Sequence, residues 1–358
     1  MAVHFHQLKI KNIKTETAGC VSISFDIPDT LLNLFAFKEG QNITIKKNIG
    51  REEIRRSYSI CSAPHEKELR VAVKKIAGGS FSQFANDNLQ PGDILEVLPP
   101  TGKFNAKIHA NERGNYLAIA AGSGITPIIS IIKHTLQADE VSNFTLVYGN
   151  RDHNSIIFFD ELEGLKNKYM ERFTFINILS RERTDAAIFY GRIDENKLTA
   201  LGKLLPYQNF HEVYLCGPEE LIFTASDHLQ KHGVAKTNIH FELFTTPGQK
   251  KITLKSKEAI ISSGPASNIT IKLDGRSFDF DLGFDSISIL DAALQQGADL
   301  PYACKGGVCA TCRAKLLKGE VDMDVNYALE QEEIEQGFIL TCQSHPRSNE
   351  VVVDFDVK

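Results

Sequence analysis

Cys304, Cys309, Cys312 and Cys342 are the residues whose type and spacing most directly imply chemistry. The first three stand as C-x4-C-x2-C within PYACKGGVCATC, and the fourth returns from a distant segment. Three thiolates on one glycine-rich loop and a fourth brought back by the fold make the ligand set of a 2Fe–2S cluster. Gly306 and Gly307 let such a loop wrap closely and turn its amides toward the cluster sulfurs. A zinc site is the alternative, but zinc sites usually pair two C-x2-C knuckles and this chain has one. A cluster of this kind carries one electron at a time, so the remaining chain should contain something that supplies electrons singly.

The elements that position these thiols must come from a chain of 358 residues, long enough for two or three domains. With 42% hydrophobic and 24% charged residues, the composition is that of an ordinary globular protein. The start, MAVHFHQLKI, lacks the basic and apolar regions of a secretory signal, and no run approaches a membrane span. A cytoplasmic protein without membrane association is expected, and no basic, aromatic-interleaved patch suggests nucleic acid. Cys20, Cys61 and Cys216 are left outside the cluster loop and read first as small buried hydrophobes. The net charge of −5 is uneven, because the tail from Asn268 holds 16 Asp and Glu against 8 Lys and Arg. That asymmetry fits either electrostatic docking of the tail or a solvated acidic surface.

Residues 1–106 carry short β-rich runs separated by turn signals, the pattern of a small antiparallel barrel. Within it, Arg56, Tyr58 and Ser59 lie on one predicted strand, offering a guanidinium for phosphate, a ring for a flat heterocycle and a hydroxyl for a ring nitrogen. The strand LRVAVKK leads to Gly78, Gly79, Ser80 and Ser82, then a helical segment, a pattern able to cradle a pyrophosphate. From 107 to 244 strands alternate with helices, so an α/β parallel sheet is expected, with ligands at the carboxyl ends of its strands. YLAIAA runs into Gly122, Gly124 and Thr126 at one such end, and VYLCGP places Cys216 and Gly217 at another. Each motif alone is also compatible with a tight strand-to-helix turn.

Taken in order, RSYS, VKK–GGSFS, GSGITP and CGP resemble the ferredoxin–NADP reductase superfamily, and with the cysteine-rich tail the chain is similar to reductase components of bacterial multicomponent oxygenases. The resemblance implies FAD, with Arg56 and Ser82 on its phosphates, Gly79 and Ser80 in the cradle, Tyr58 against the ring and Ser59 near flavin N5. Val73 and Lys74 would line the pyrophosphate through their backbones. Thr126 and Cys216 would flank a nicotinamide, with Gly122, Gly124 and Gly217 admitting it closely. Ser180, Arg181, Arg183 and Tyr190 resemble a clamp for the 2′-phosphate and adenine of NADPH, although Phe189 stands where plant-type reductases place a Lys. Glu242 would lie near the nicotinamide and Phe244 over the flavin ring, with core packing as the alternative for Phe244.

Residues 245–267 read as a tether with room for one short strand. The tail 268–358 begins with two alternating runs about Asp274-Gly275, a hairpin signal. Its order of strands, short helix, cluster loop and acidic helix resembles the α+β β-grasp layout of plant-type ferredoxins. The expected protein is therefore multidomain: FAD-binding barrel 1–106, NADPH-binding domain 107–244, linker 245–267 and ferredoxin domain 268–358. The resemblance implies electron flow from NADPH through FAD and the 2Fe–2S cluster to a di-iron oxygenase. Alternatives are another acceptor, such as a hybrid-cluster protein or a ring or fatty-acid hydroxylase, or a module that senses redox state.

Overall fold

The computed structural model describes residues 4–108, 113–244 and 265–357. These divide into two compact units. One consists of Gln7–Ile54 and Tyr58–Leu243, and the other of the segment from Phe244 onward with Arg55–Ser57 and the residues before Gln7.

The first unit opens with β1 (His6–Thr17), β2 (Cys20–Asp26), β3 (Asn42–Ile49), β4 (Glu52–Ser59), β5 (Leu69–Lys74) and β6 (Ile94–Val97), in the sheet order β4-β3-β6-β1-β2-β5. Leu8, Ile10, Ile23, Ile43, Ile45, Val71 and Val97 fill its interior. After β5, Gly78 takes a left-handed conformation (φ +74°) and Gly79 caps α1 (Ser80–Asp87). The turn needs glycine there because a side chain at that φ is strained.

A five-stranded parallel sheet follows, of β7 (Asn115–Ala121), β8 (Asn143–Asn150), β9 (Phe173–Leu179), β10 (Glu212–Cys216) and β11 (Ile239–Glu242), in the order β11-β10-β7-β8-β9. Its central strands are continuous apolar runs, as burial of both faces requires. The connecting helices are α2 (Ile125–Ala138), α3 (Phe159–Lys168), α4 (Glu195–Gly202) and α5 (Glu219–Lys231). α2 is buried almost all round, because it packs between the sheet and the barrel. α4 is an element that the alternating pattern does not announce; Asp194 caps it by accepting from the Lys197 amide.

In the second unit β12 (Ala266–Leu273) and β13 (Arg276–Gly283) form the expected hairpin, with Asp274 and Gly275 both left-handed at its turn. α6 (Ile289–Gln295), capped by Ser288, precedes the cysteine loop, followed by β14 (Arg313–Lys318), β15 (Val321–Met323), α7 (Gln331–Glu335), β16 (Phe338–Leu340), β17 (Ser344–Pro346) and β18 (Glu350–Asp354). The main sheet runs β13-β12-β18-β14-β16, with β15 and β17 paired separately. The expected tether lies outside the described residues over 245–264, and β12 already begins at Ala266 because the ladder extends to Ala266↔Gly283.

Candidate flavin, nucleotide and iron–sulfur sites

β4 ends on Tyr58 and Ser59, and β10 and β11 end side by side with Cys216 opposite Glu242. The fold brings these strand ends together. The Ser59 hydroxyl donates to Glu242 Oε2 at 2.7 Å, joining the barrel to the nucleotide sheet. Burial, with Glu242 next to it, pushes the Cys216 thiol well above its ordinary value, so it stays a neutral thiol. Tyr58 is half-buried and its ring lies 5.6 Å from Phe81 of α1. Arg56 is exposed and its Nη1 donates to the Arg55 carbonyl.

Around α1, Ser82 Oγ accepts from the Ile76 amide, so the hydroxyl expected on a phosphate closes the glycine loop internally. A Cβ on Gly79 would lie 2.5 Å from that hydroxyl. Val73 is wholly buried in β5, and its carbonyl accepts from Asn86 Nδ2. Lys74 is expected to act through its backbone, but its ammonium also reaches the next site: Nζ lies 3.1 Å from where a Gly122 Cβ would stand. Burial, and then Arg151, lower its pKa.

β7 ends in the turn Gly122–Gly124, with Gly122 left-handed (φ +54°) and its carbonyl accepting from Tyr148 OH at 2.8 Å. A Cβ on Gly124 would stand 2.1 Å from the Cys216 carbonyl oxygen, and one on Gly217 3.2 Å from the Ala121 amide. The two strand ends therefore approach as closely as backbone allows. Thr126 is buried and its hydroxyl donates to the Ser123 carbonyl. This strand-end crevice, opened by a helix N-terminus, suits the phosphates of a dinucleotide.

Ser180 and Arg181 follow β9, with their amides bonded to the Asn150 and Arg151 carbonyls. Glu182 accepts from the His153 amide, which leaves Arg181 and Arg183 exposed and without an acidic partner among the described residues. Tyr190 is 41% exposed, and its turn is held by Lys197, whose ammonium donates to the Ala187, Ile188 and Tyr190 carbonyls. Phe244, also 41% exposed, is the last described residue before 245–264.

In the second unit all four thiols are free, Cys309, Cys312 and Cys342 buried and Cys304 partly so. A hydrogen bond from Cys304 lowers the pKa of Cys309, and one from Cys312 lowers that of Cys342. Lys305 and Ala310 take left-handed conformations (φ 51° and 53°) that are strained for residues with a Cβ, while Gly307 (φ 76°) adopts one freely. Such conformations concentrate at ligand sites. The Gly306 amide points at Cys304 Sγ (3.3 Å), and Gln343 Nε2 bridges the Lys305 carbonyl and Cys342 Sγ. Thr341 Oγ1 fixes the Cys312 carbonyl. Four free thiols, three on one loop and one on a returning segment, with the Gly306 amide and Gln343 aimed at their sulfurs, fit the thiolate set of a 2Fe–2S cluster. Gln343 and Thr341 are additions to the expected site; their only signal in the sequence is adjacency to Cys342.

Three family models match the chain: an oxidoreductase FAD-binding domain over residues 7–106, an oxidoreductase NAD-binding domain over 118–227 and a 2Fe-2S iron-sulfur cluster binding domain over 271–347. The chain belongs to the family of reductases of multicomponent oxygenases that join FAD, pyridine-nucleotide and 2Fe–2S domains, and it is an oxidoreductase. It is 44% identical over 355 residues to a subunit of the 1,2-phenylacetyl-CoA epoxidase of Escherichia coli (strain K12), covering 99% of this chain and 98% of that one. It is 32% identical to the ferredoxin reductase component of 3-ketosteroid-9-alpha-monooxygenase of Rhodococcus rhodochrous, covering 97% and 96%.

Among solved structures, phthalate dioxygenase reductase matches with TM-score 0.58 and 26% identity over 98% of both chains. An intact type IV self-sufficient cytochrome P450 monooxygenase matches in fold, with TM-score 0.69 and 22% identity, covering 98% of this chain and 41% of that longer one. Among the described residues no helix is long and apolar enough to cross a membrane.

Proposed function

We propose that this chain is the reductase component of a di-iron oxygenase complex of the phenylacetyl-CoA epoxidase kind, drawing electrons from NADPH. The observation that carries this reading is the end-to-end 44% identity with the epoxidase subunit of Escherichia coli. When bound, FAD accepts a hydride and hands on electrons singly, and the 2Fe–2S cluster carries them one at a time.

The chain's own residues supply position, charge and dryness. Tyr58 provides a face for the flavin ring. Ser59 and Glu242, joined at 2.7 Å, form a hydroxyl–carboxylate pair able to hold or pass a proton at Ser59 Oγ. Cys216, held as a neutral thiol, offers the nicotinamide a soft, dry wall. Gly79, Ser80 and Ser82 would serve the flavin phosphates, with Val73 beside them and the Ser82 hydroxyl keeping its bond from the Ile76 amide. Lys74, Gly122, Gly124, Thr126 and Gly217 line the dinucleotide crevice. Ser180, Arg181, Arg183 and Tyr190 select the 2′-phosphate of NADPH, because two arginines without acidic partners among the described residues can pair with it. Cys304, Cys309, Cys312 and Cys342 would hold the 2Fe–2S cluster.

The deciding experiment mixes purified protein with the phenylacetyl-CoA epoxidase oxygenase and follows NADPH consumption and epoxide, with and without phenylacetyl-CoA. Epoxide formed in proportion to NADPH supports the assignment. Rapid NADPH oxidation with ferricyanide but no epoxide would overturn the named partner. The similarity to the 3-ketosteroid monooxygenase reductase favours a second reading in that event, a reductase for another oxygenase.

A further inference from the structure

The helix that begins at the nucleotide crevice also grips the strand that carries the flavin residues. Thr126, Ser130 and Lys133 stand at i, i+4 and i+7 and so share one face of α2, spanning about 10 Å at 1.5 Å per residue. Ser130 is fully buried, and its hydroxyl donates to the Ser62 carbonyl at 2.6 Å. Lys133, 4% exposed, aims its ammonium at the Cys61 carbonyl at 3.5 Å and bonds both Glu66 oxygens at 3.1 Å. Glu66 in turn accepts from the Ala63 amide at 2.6 Å.

Cys61 and Ser62 are the direct continuation of β4 beyond Ser59. They remain tied to β5 through the Ile60↔Val71 bridge and the bond from the Cys61 amide to the Arg70 carbonyl. Arg70 donates to Glu161 of α3 at 2.8 Å, and Glu161 also pairs with Lys133. The circuit thus runs from α2 to the flavin strand, across to β5, over to α3 and back to Lys133. Burial alone would raise the Glu161 carboxyl, but Lys133 and Arg70 outweigh it and hold it below the usual range, so Glu161 is ionised. Phe158, at the start of α3, lies beneath the Arg70 guanidinium and takes a left-handed conformation (φ +60°) that a bulky residue adopts only under constraint.

Ser130, Lys133, Glu66, Arg70 and Glu161 are distinct from the residues assigned above to FAD and the nucleotide. We infer that Ser130 and Lys133 are positioning residues for hydride transfer: through the backbone of Cys61 and Ser62 they set the depth and angle at which Tyr58 and Ser59 face the nucleotide end of α2. This rests on the reading that flavin and nicotinamide meet between Ser59 and Thr126. Transfer needs its reacting atoms about 3–3.5 Å apart, so a small slip of one strand along one helix is felt directly in the rate.

The test compares holoprotein carrying Ser130→Ala or Lys133→Met with the parent. Anaerobic stopped-flow at saturating NADPH should show flavin bleaching slowed about tenfold or more. NADPH affinity and FAD content should stay within about twofold of the parent, since no residue of either binding site is altered. Hydrogen exchange, read independently of activity, should show the amides of 59–63 losing protection while β7 and β8 keep theirs. Unchanged bleaching in both variants overturns the inference, as does a rate loss accompanied by equal losses of FAD and NADPH binding. If Lys133→Met does not fold, Ser130→Ala, which removes one oxygen, decides alone. Failure of the parent to bleach with NADPH would overturn the underlying reading and this inference together.

Discussion

Gly124→Ala puts the approach of the two strand ends to the test. The added Cβ would stand 2.1 Å from the Cys216 carbonyl oxygen, 2.4 Å from its carbon and 2.8 Å from the Gly217 amide nitrogen. All three are backbone atoms, so no side-chain rotation relieves the clash. Ordinary contact begins at 3.4 Å, and reaching it requires one strand end to retreat by about 1.3 Å. A misplacement of about 1 Å costs hydride transfer on the order of 10²-fold, or roughly 2.7 kcal/mol of barrier. Rapid-mixing absorbance of the flavin measures the step directly. Flavin content and chemical reduction of the cluster by dithionite should be unaffected, because neither depends on the crevice. A variant within about threefold of the parent rate would refute the geometric argument, since it would mean that the strand ends do not jointly place the nicotinamide.

Cys312→Ser should abolish the visible and electron-paramagnetic signals of the cluster and all oxygenase-coupled turnover, while NADPH–ferricyanide activity through the flavin persists; loss of both activities would contradict the division of labour. His228 is buried, stacked on His232 at 4.0 Å and edge-on to Tyr207, with neither ring nitrogen bonded among the described residues. Burial first, then His232, and less strongly Lys231, lower its pKa, against an opposing pull from Glu195. The unfolded chain therefore binds this proton more readily than the folded one. The stability concerned is fully present above the ordinary value of 6.5 and is lost as pH falls below it. Thermal midpoints at about pH 8 and 5.5 should fall more for the parent than for His228→Leu, and parallel falls would refute the assignment. Gly164 lies within α3 with nothing within 4 Å of an added Cβ. Gly164→Ala should stabilise by about 0.5–1 kcal/mol in denaturant titration without changing activity.

The sequence is most legible where function is written locally. C-x4-C-x2-C, the glycine before α1 and the paired glycines after β7 each need their neighbours in the chain, so spacing exposes them. The hairpin at Asp274-Gly275 is legible for the same reason, since two left-handed residues in a row leave few choices of type. What stays hidden depends on partners distant in sequence. Nothing about Ser130 or Lys133 distinguishes them within an apolar helix until Cys61, Glu66 and Glu161 are brought beside them. Lys74 reads as a backbone contributor because its side chain acquires meaning only when Gly122 arrives from another domain. Helix α4 escapes the pattern because its short apolar run lies in a loop-like stretch, although Asp194 offers a cap. β12 begins inside the expected tether because pairing with β13 extends the ladder past the last alternating residue.

The central claim is that one chain converts a paired-electron donor into a single-electron source. Anaerobic titration of the purified protein with NADPH, followed by flavin absorbance and low-temperature paramagnetic resonance, tests it most directly. The account predicts that the flavin bleaches and that the axial or rhombic signal of a reduced 2Fe–2S cluster grows in the same titration. A flavin that bleaches fully while the cluster stays oxidised, although dithionite reduces it, would contradict the account.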